Sequence, residues 1–246
     1  ATITGSTFTG NEAKYGGAIY NNGTANIIAN ESDTTFTGNT AGGVSNALYN
    51  NLYTTTNLNA ADGHKIVFND GIDGSNGTIN INNTGVTMAD GTTDAPTSGV
   101  VEFNNTVKNN TVNLYNGTLK LGHYEGGEVN GKTVAESFGS LDSSVNFNVH
   151  GGTLSLQDGA IQNTNLGNLT LNSDLDLRLD GNFAQNQLDT ISANKFNANG
   201  NNINISDILI LEPTTKKSFS ISPIGTGMDD SVRSALAGAI QYTGGD

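Results

Sequence analysis

Two stretches near the start of the chain say nearly the same thing. Ser6-Thr7-Phe8-Thr9-Gly10-Asn11 runs into Gly16-Gly17-Ala18-Ile19-Tyr20-Asn21-Asn22. Thr34-Thr35-Phe36-Thr37-Gly38-Asn39 runs into Gly42-Gly43-Val44 and Ala47-Leu48-Tyr49-Asn50-Asn51. Phe8 to Phe36 and Asn11 to Asn39 are each 28 residues, and Tyr20 to Tyr49 is 29. A period held this closely at three landmarks marks stacked structural units, each burying its apolar face against the next. Composition agrees: only 35% of the chain is apolar and 13% charged, with 32 glycines. A thin, elongated core needs fewer apolar residues per turn than a sphere does.

Beyond the twin repeats the pattern loosens without stopping. Gly-Thr followed by alternating apolar residues recurs at Gly77-Thr78-Ile79, Gly117-Thr118-Leu119 and Gly152-Thr153-Leu154, at spacings of 40 and 35. Alternation also marks Val112/Leu114, Val145/Phe147/Val149, Leu169/Leu171, Leu175/Leu177/Leu179 and Ile203/Ile205. Short period-two runs bounded by Asn, Asp and Gly read as strands with one buried face. Coils of roughly 20 residues stacking in parallel fit them, and the longer spacings are then one long coil or two short ones. About ten rungs at a strand separation of about 4.8 Å would make a rod roughly 50 Å long.

Within such coils the repeat residues Phe8, Asn11, Gly16, Gly17, Ile19, Phe36, Asn39, Gly42, Gly43 and Leu48 have structural work to do. Phe8 and Phe36 stack in the core, with Ala18 and Ile19 facing in. Asn tolerates the left-handed bend of a corner and can bond the same Asn one rung away. Gly16-Gly17 and Gly42-Gly43 suit corners where a side chain would strike the rung above. Residues 1–212 are thus expected to be the solenoid, regular over 1–56 and irregular over 57–212, with 213–246 a cap or a linker toward a further domain. Asp229-Asp230-Ser231 opens Val232, Ala235, Leu236, Ala239 and Ile240 at helical spacing, so a short helix is expected there.

The net charge of −13 with two arginines, Arg178 and Arg233, argues against nucleic acid or an anionic membrane surface as partner. The absence of cysteine rules out disulfides and thiolate chemistry. The chain opens at Ala1 in a Thr-Ile-Thr strand pattern and is expected to be a fragment or processed product.

Phe-x-x-Asn followed by Gly-Gly-Ala-Ile, present as Phe8-Thr9-Gly10-Asn11 and Gly16-Gly17-Ala18-Ile19, resembles the signature of polymorphic outer membrane proteins and AIDA-like autotransporter passengers. Stretches such as Val101-Glu102-Phe103-Asn104-Asn105 and Val112 to Gly122 look like later parts of such passengers. The resemblance implies an all-β fold, a right-handed parallel β-helix. It further implies display on a Gram-negative cell surface through a C-terminal outer-membrane β-barrel, and a role as adhesin or stalk. The expected partner is then a protein or glycan of a host or neighbouring cell, met by a monomer.

The rival reading is a β-helix polysaccharide lyase or hydrolase. Asp174, Asp176 and Arg178 supply its best constellation, two carboxylates and a base on one strand between inward leucines. An alternating Asp/Leu/Arg strand is also what a solvated outer face looks like. The histidines His64, His123 and His150 carry no metal-ligand spacing, no nucleophile elbow or phosphate-cradling loop is present, and no cofactor or metal is implied. A third reading is a purely structural spacer. Tyr15, Tyr53, Tyr115 and Tyr124 are the candidate exposed aromatics for a binding role. One assay separates enzyme from scaffold: the scaffold reading expects no cleavage of an acidic-glycan panel with or without Ca²⁺. Cleavage that disappears in Asp176→Asn would establish the enzyme.

Overall fold

The structure, a computed structural model, describes residues 1–88, 90–91, 94–123, 128–129, 132–133, 137–212 and 221–243, with 128–129 and 132–133 described by backbone alone. Tyr124, Pro213, Lys216-Lys217, Gly244-Gly245 and most of the strand pair expected from Lys216 to Ile224 lie outside these residues.

The chain is a solenoid-like stack of parallel strands, in which each coil visits three faces in turn. The first face holds Thr2–Thr4, Thr24–Ala29, Thr55–Ala60, Gly77–Ile81 and Asn110–Leu114, each pairing in parallel with the next. The second holds Thr7–Thr9, Thr34–Thr37, Lys65–Phe68, Val100–Phe103, Thr118–Leu121, Thr153–Ser155, Leu175–Asn182 and Ile203–Glu212. The third holds Ile19–Asn21, Leu48–Asn50, Ile72–Gly74 and Thr106–Val107. From the fifth coil the corner between third and first faces is bridged by long strands. Ser140–Val149 pairs with both Thr106–Val107 and Asn110–Leu114, and then with Asn163–Leu171.

Register decides what the spacings meant. Phe8 pairs directly with Phe36 and Thr118 with Thr153, so 28 and 35 residues are each a single coil. The spacing of 40 is not a coil at all: Gly77-Thr78 lies on the first face and Thr118 on the second. Residues paired between successive coils lie from 18 apart, Val100 and Thr118, to 37 apart, Ile203 and Ile240. Nine strands of the second sheet stack in sequence among the described residues, which at about 4.8 Å per step is roughly 40 Å of rod.

Alternation along each strand sends apolar columns inward. Ile27, Leu58, Ile81, Leu114, Val149 and Leu171 form one on the first face, all buried. On the second face Phe8, Phe36, Phe68 and Phe103 make an aromatic pile: centroids 4.7 Å apart for the first pair, 4.2 Å for the second, then a 5.9 Å edge contact. Ile19, half-buried, pairs with buried Leu48.

The two glycine pairs do not correspond in space. Gly17 donates to Asn46, not to the Gly42-Gly43 region, because the two glycine pairs are 26 residues apart while the flanking strands pair at 28 and 29. A Cβ on Gly17 would lie 2.6 Å from the backbone of Thr40, so this corner needs glycine for space. Around Gly42 and Gly43 there is open room. They turn a small antiparallel hairpin, Thr40–Ala41 with Val44–Ser45, and their φ of +58° and +80° is what a tight primed turn requires.

At the far end Asp230–Ala239 is helical, burying Leu236 and Ala239. It packs on Lys195–Asn197, where the next first-face strand would lie, and leads into Ile240–Tyr242, which pairs with Ile203–Ile205. No helix among the described residues is long and apolar enough to cross a membrane.

Phe36 is wholly buried between two rings, whereas Phe8 ends the pile half-exposed. Phe36→Ala is expected to cost about 3–5 kcal/mol of unfolding free energy in a denaturant titration, and Phe8→Ala clearly less.

Candidate functional site

The corner between the second and third faces is built by side chains that accept backbone N–H groups from the previous coil. Asn39 Oδ1 takes the Asn11 N–H at 3.1 Å and the Asn11 Nδ2 at 2.8 Å. Asp70 repeats this one coil on, taking the N–H groups of Gly38 and Asn39 at 2.8 and 2.9 Å. Farther along, Asp180 Oδ2 takes those of Asp158 and Gly159 at 2.9 and 2.7 Å. Backbone N–H groups that no strand can pair are satisfied this way.

Asp174 does a related job at another corner, accepting the Asn202 N–H at 2.7 Å. Asp176 and Arg178 point outward from the Leu175–Asn182 strand, exposed, with Leu175, Leu177 and Leu179 buried between them. Asp174 therefore does not share the strand face expected of it: it sits at the turn ahead of the strand that carries Asp176 and Arg178, and among the described residues none of the three forms an ion pair within 4.0 Å. Asp176 and Arg178 lie on an open face.

Sequence reading missed a buried set nearby. Asp158, Asp180 and Asp189 are all wholly buried. Asp189 takes the N–H groups of Asp180 and Gln162 at 2.7 and 2.9 Å, Asp158 that of Ala160 at 3.1 Å and the Gln162 side chain, while Asp180 Oδ1 has no partner. Burial pushes all three carboxyls up from 3.8: Asp158 to about 7, Asp180 to about 6 and Asp189 to about 8. Backbone donors oppose that rise, and the charges of neighbouring aspartates add to it for Asp158 and Asp189.

A second polar knot sits on the outward side of the second face. Glu102, 3% exposed, lies 2.8 Å from His123 Nδ1 and 4.0 Å from Lys120 Nζ, and accepts Asn104 Nδ2 at 2.7 Å. The other histidines are elsewhere: His64 is 3.4 Å from Asp33, and His150 stacks on Tyr115 at 4.6 Å. Among the described residues no group of three or more His, Cys, Asp or Glu is arranged to hold a metal ion.

The first face carries a column of amides. Asn57 Nδ2 donates to Asn26, Asn80 to Asn57, Asn113 to Asn80 and Asn148 to Asn113, each at 2.9 Å. No sequence spacing announces it, because the coil lengths between these residues are unequal.

The third face holds a cleft of about 660 Å³. Tyr20 stacks on Tyr49 at 5.8 Å, and Tyr15 tilts against Tyr49 at 5.1 Å. One coil on, the residue paired with Tyr49 is Asp73, so the aromatic column stops there. The Gly42-Gly43 hairpin walls one side through Ala41, Val44 and Ser45, and Lys14 and Lys108 stand at the rim. Of the aromatics singled out in the sequence, Tyr15 is half-exposed here at 47% and Tyr53 stands free at 90%.

Comparison of the chain with protein-family models, curated proteins and solved structures found no match.

The buried aspartates set a pH dependence. Their folded pKa values lie above the unfolded value, so the folded chain binds more protons, and the stability they contribute is full below about pH 4 and lost as pH rises through about 6–8. Mutual repulsion in a chain of charge −13 acts in the same sense. The melting temperature is expected to be higher at about pH 5 than at about pH 8.5, and Asp189→Asn to flatten that difference.

Proposed function

We propose that this chain is a right-handed parallel β-helix of the autotransporter-passenger kind, displayed on a Gram-negative cell surface through a β-barrel that follows it in the full protein. It acts there by binding, as an adhesin raised on its own stalk, and catalyses nothing. The carrying observation is the contrast between the chain's acids and its cleft. Asp174, Asp70 and Asp180 hold backbone N–H groups at corners, which leaves a lyase without its carboxylate cluster. The third-face cleft instead gathers aromatic rings, amides and two lysines where the aromatic column gives way to Asp73. Repetitive solenoid surfaces interrupted by such irregularities are where partners are recognised.

A spacer without any ligand is the competing reading, and it predicts a chain that reaches the surface but adheres to nothing. Fused ahead of an autotransporter β-barrel and expressed in a non-adherent Gram-negative host, the chain is expected to become protease-accessible on intact cells. It is also expected to confer saturable attachment to epithelial monolayers. Retention in the periplasm would refute the passenger assignment, and display without attachment would establish the spacer.

A further inference from the structure

Most of this molecule's polar groups are used internally, rung against rung. The third-face cleft departs from that rule in three ways. Its aromatic surface is real: Tyr49 is covered by Tyr20 on one side, but the next coil offers Asp73 and Gly74 rather than another ring. Tyr15 is tilted at 49° to Tyr49 with centroids 5.1 Å apart, so two ring surfaces meet at an angle beside the cleft. Flat aromatic surface beside polar groups is what the apolar face of a pyranose ring packs on.

Its wall also carries an unused amide. Asn46 is 7% exposed, its Oδ1 has no hydrogen-bond partner, and no described residue bonds its side chain. Its backbone is held on both sides, donating to Asn39 and accepting from Gly17 at 2.9 Å each.

Finally, the charge of the cleft opposes that of the chain. Lys14 stands at the rim, its Nζ 5.3 Å from the Tyr15 ring centroid, with no carboxylate within 4.0 Å among the described residues. Lys108 pairs with Asp73 at 3.3 Å. These three lining groups sum to one positive charge, in a molecule of charge −13. That local sign selects an anionic group at the Lys14 end.

We propose that the third-face cleft is a binding site for a carboxylated saccharide. A pyranose ring packs against Tyr15 and Tyr49, its hydroxyls meet Asn46 and Asp73, and its carboxylate faces Lys14. This names the ligand class for the binding role proposed above, and rests on that role only for its biological setting.

The test uses the purified chain and matched oligosaccharide pairs: trigalacturonate against its methyl ester, and sialyllactose against lactose. Calorimetry is expected to show saturable binding of at least one acidic member, about tenfold or more tighter than its neutral partner, and Tyr15→Ala to weaken it by a similar factor. Lys14→Gln is expected to abolish the acidic preference while retaining weak binding of both members. Both residues are exposed, and an unchanged melting temperature certifies the variants. No binding of any probe, equal or better binding of the neutral members, or indifference to Tyr15→Ala overturns the proposal. If displayed chains attach to cells and Tyr15→Ala attaches equally, the cleft proposal fails and the adhesin reading stands. If the purified chain binds the acidic member but displayed chains attach to nothing, the reverse holds.

Discussion

Parallel strands one residue column apart demand that each coil present the next with a backbone in the same place. At about 4.8 Å per rung no side chain has room to differ much from the one above it, unless it points into solvent or a loop absorbs the change. The columns follow from that constraint: phenylalanine on phenylalanine, asparagine on asparagine, apolar residue on apolar residue. The corners follow too. A bend leaves N–H groups unpaired, and a carboxylate or amide from the adjacent coil is near enough to accept them.

This explains which parts of the molecule the sequence discloses. Phe8 and Phe36 reveal themselves because their coil is one regular repeat long, and strand alternation at Val112/Leu114 or Leu175/Leu177/Leu179 needs only local pattern. The terminal helix is legible from Asp229-Asp230 and the spacing of Val232, Leu236 and Ala239 for the same local reason. Register between unequal coils is not local. Gly77-Thr78 and Gly117-Thr118 read alike yet sit on different faces, and Gly42-Gly43 imitates Gly16-Gly17 while turning a hairpin. The column Asn26, Asn57, Asn80, Asn113 and Asn148 lies at spacings of 31, 23, 33 and 35, which no periodic search would join.

The candidate sites divide in the same way. Asp174, Asp176 and Arg178 were visible as a constellation because they are neighbours in sequence, and the structure leaves Asp176 and Arg178 on an open strand face. Asp158, Asp180 and Asp189 are brought together by stacking across separate coils, and so is the cleft between Tyr15, Asn46, Asp73 and Lys108. Tyr15 alone could be named beforehand as a candidate for exposure. What it faces depended on where the aromatic column ends, and that is a property of coil register.

The amide column on the first face has a chemical corollary. Asparagine side chains age by attack of the following backbone nitrogen on the amide carbonyl, a reaction fastest before glycine and slow before bulky residues. Strand alternation places Ile27, Leu58, Ile81, Leu114 and Val149 after the five asparagines of the column, while the Nδ2 groups of the last four are engaged along it and that of Asn26 donates to the Thr87 carbonyl. Asn22, Asn76 and Asn116, each followed by glycine, lie at or beside corners instead. The same inward-outward rhythm that fills the core therefore shields the long amide chain from deamidation, and wear over a chain's lifetime falls first on its bends.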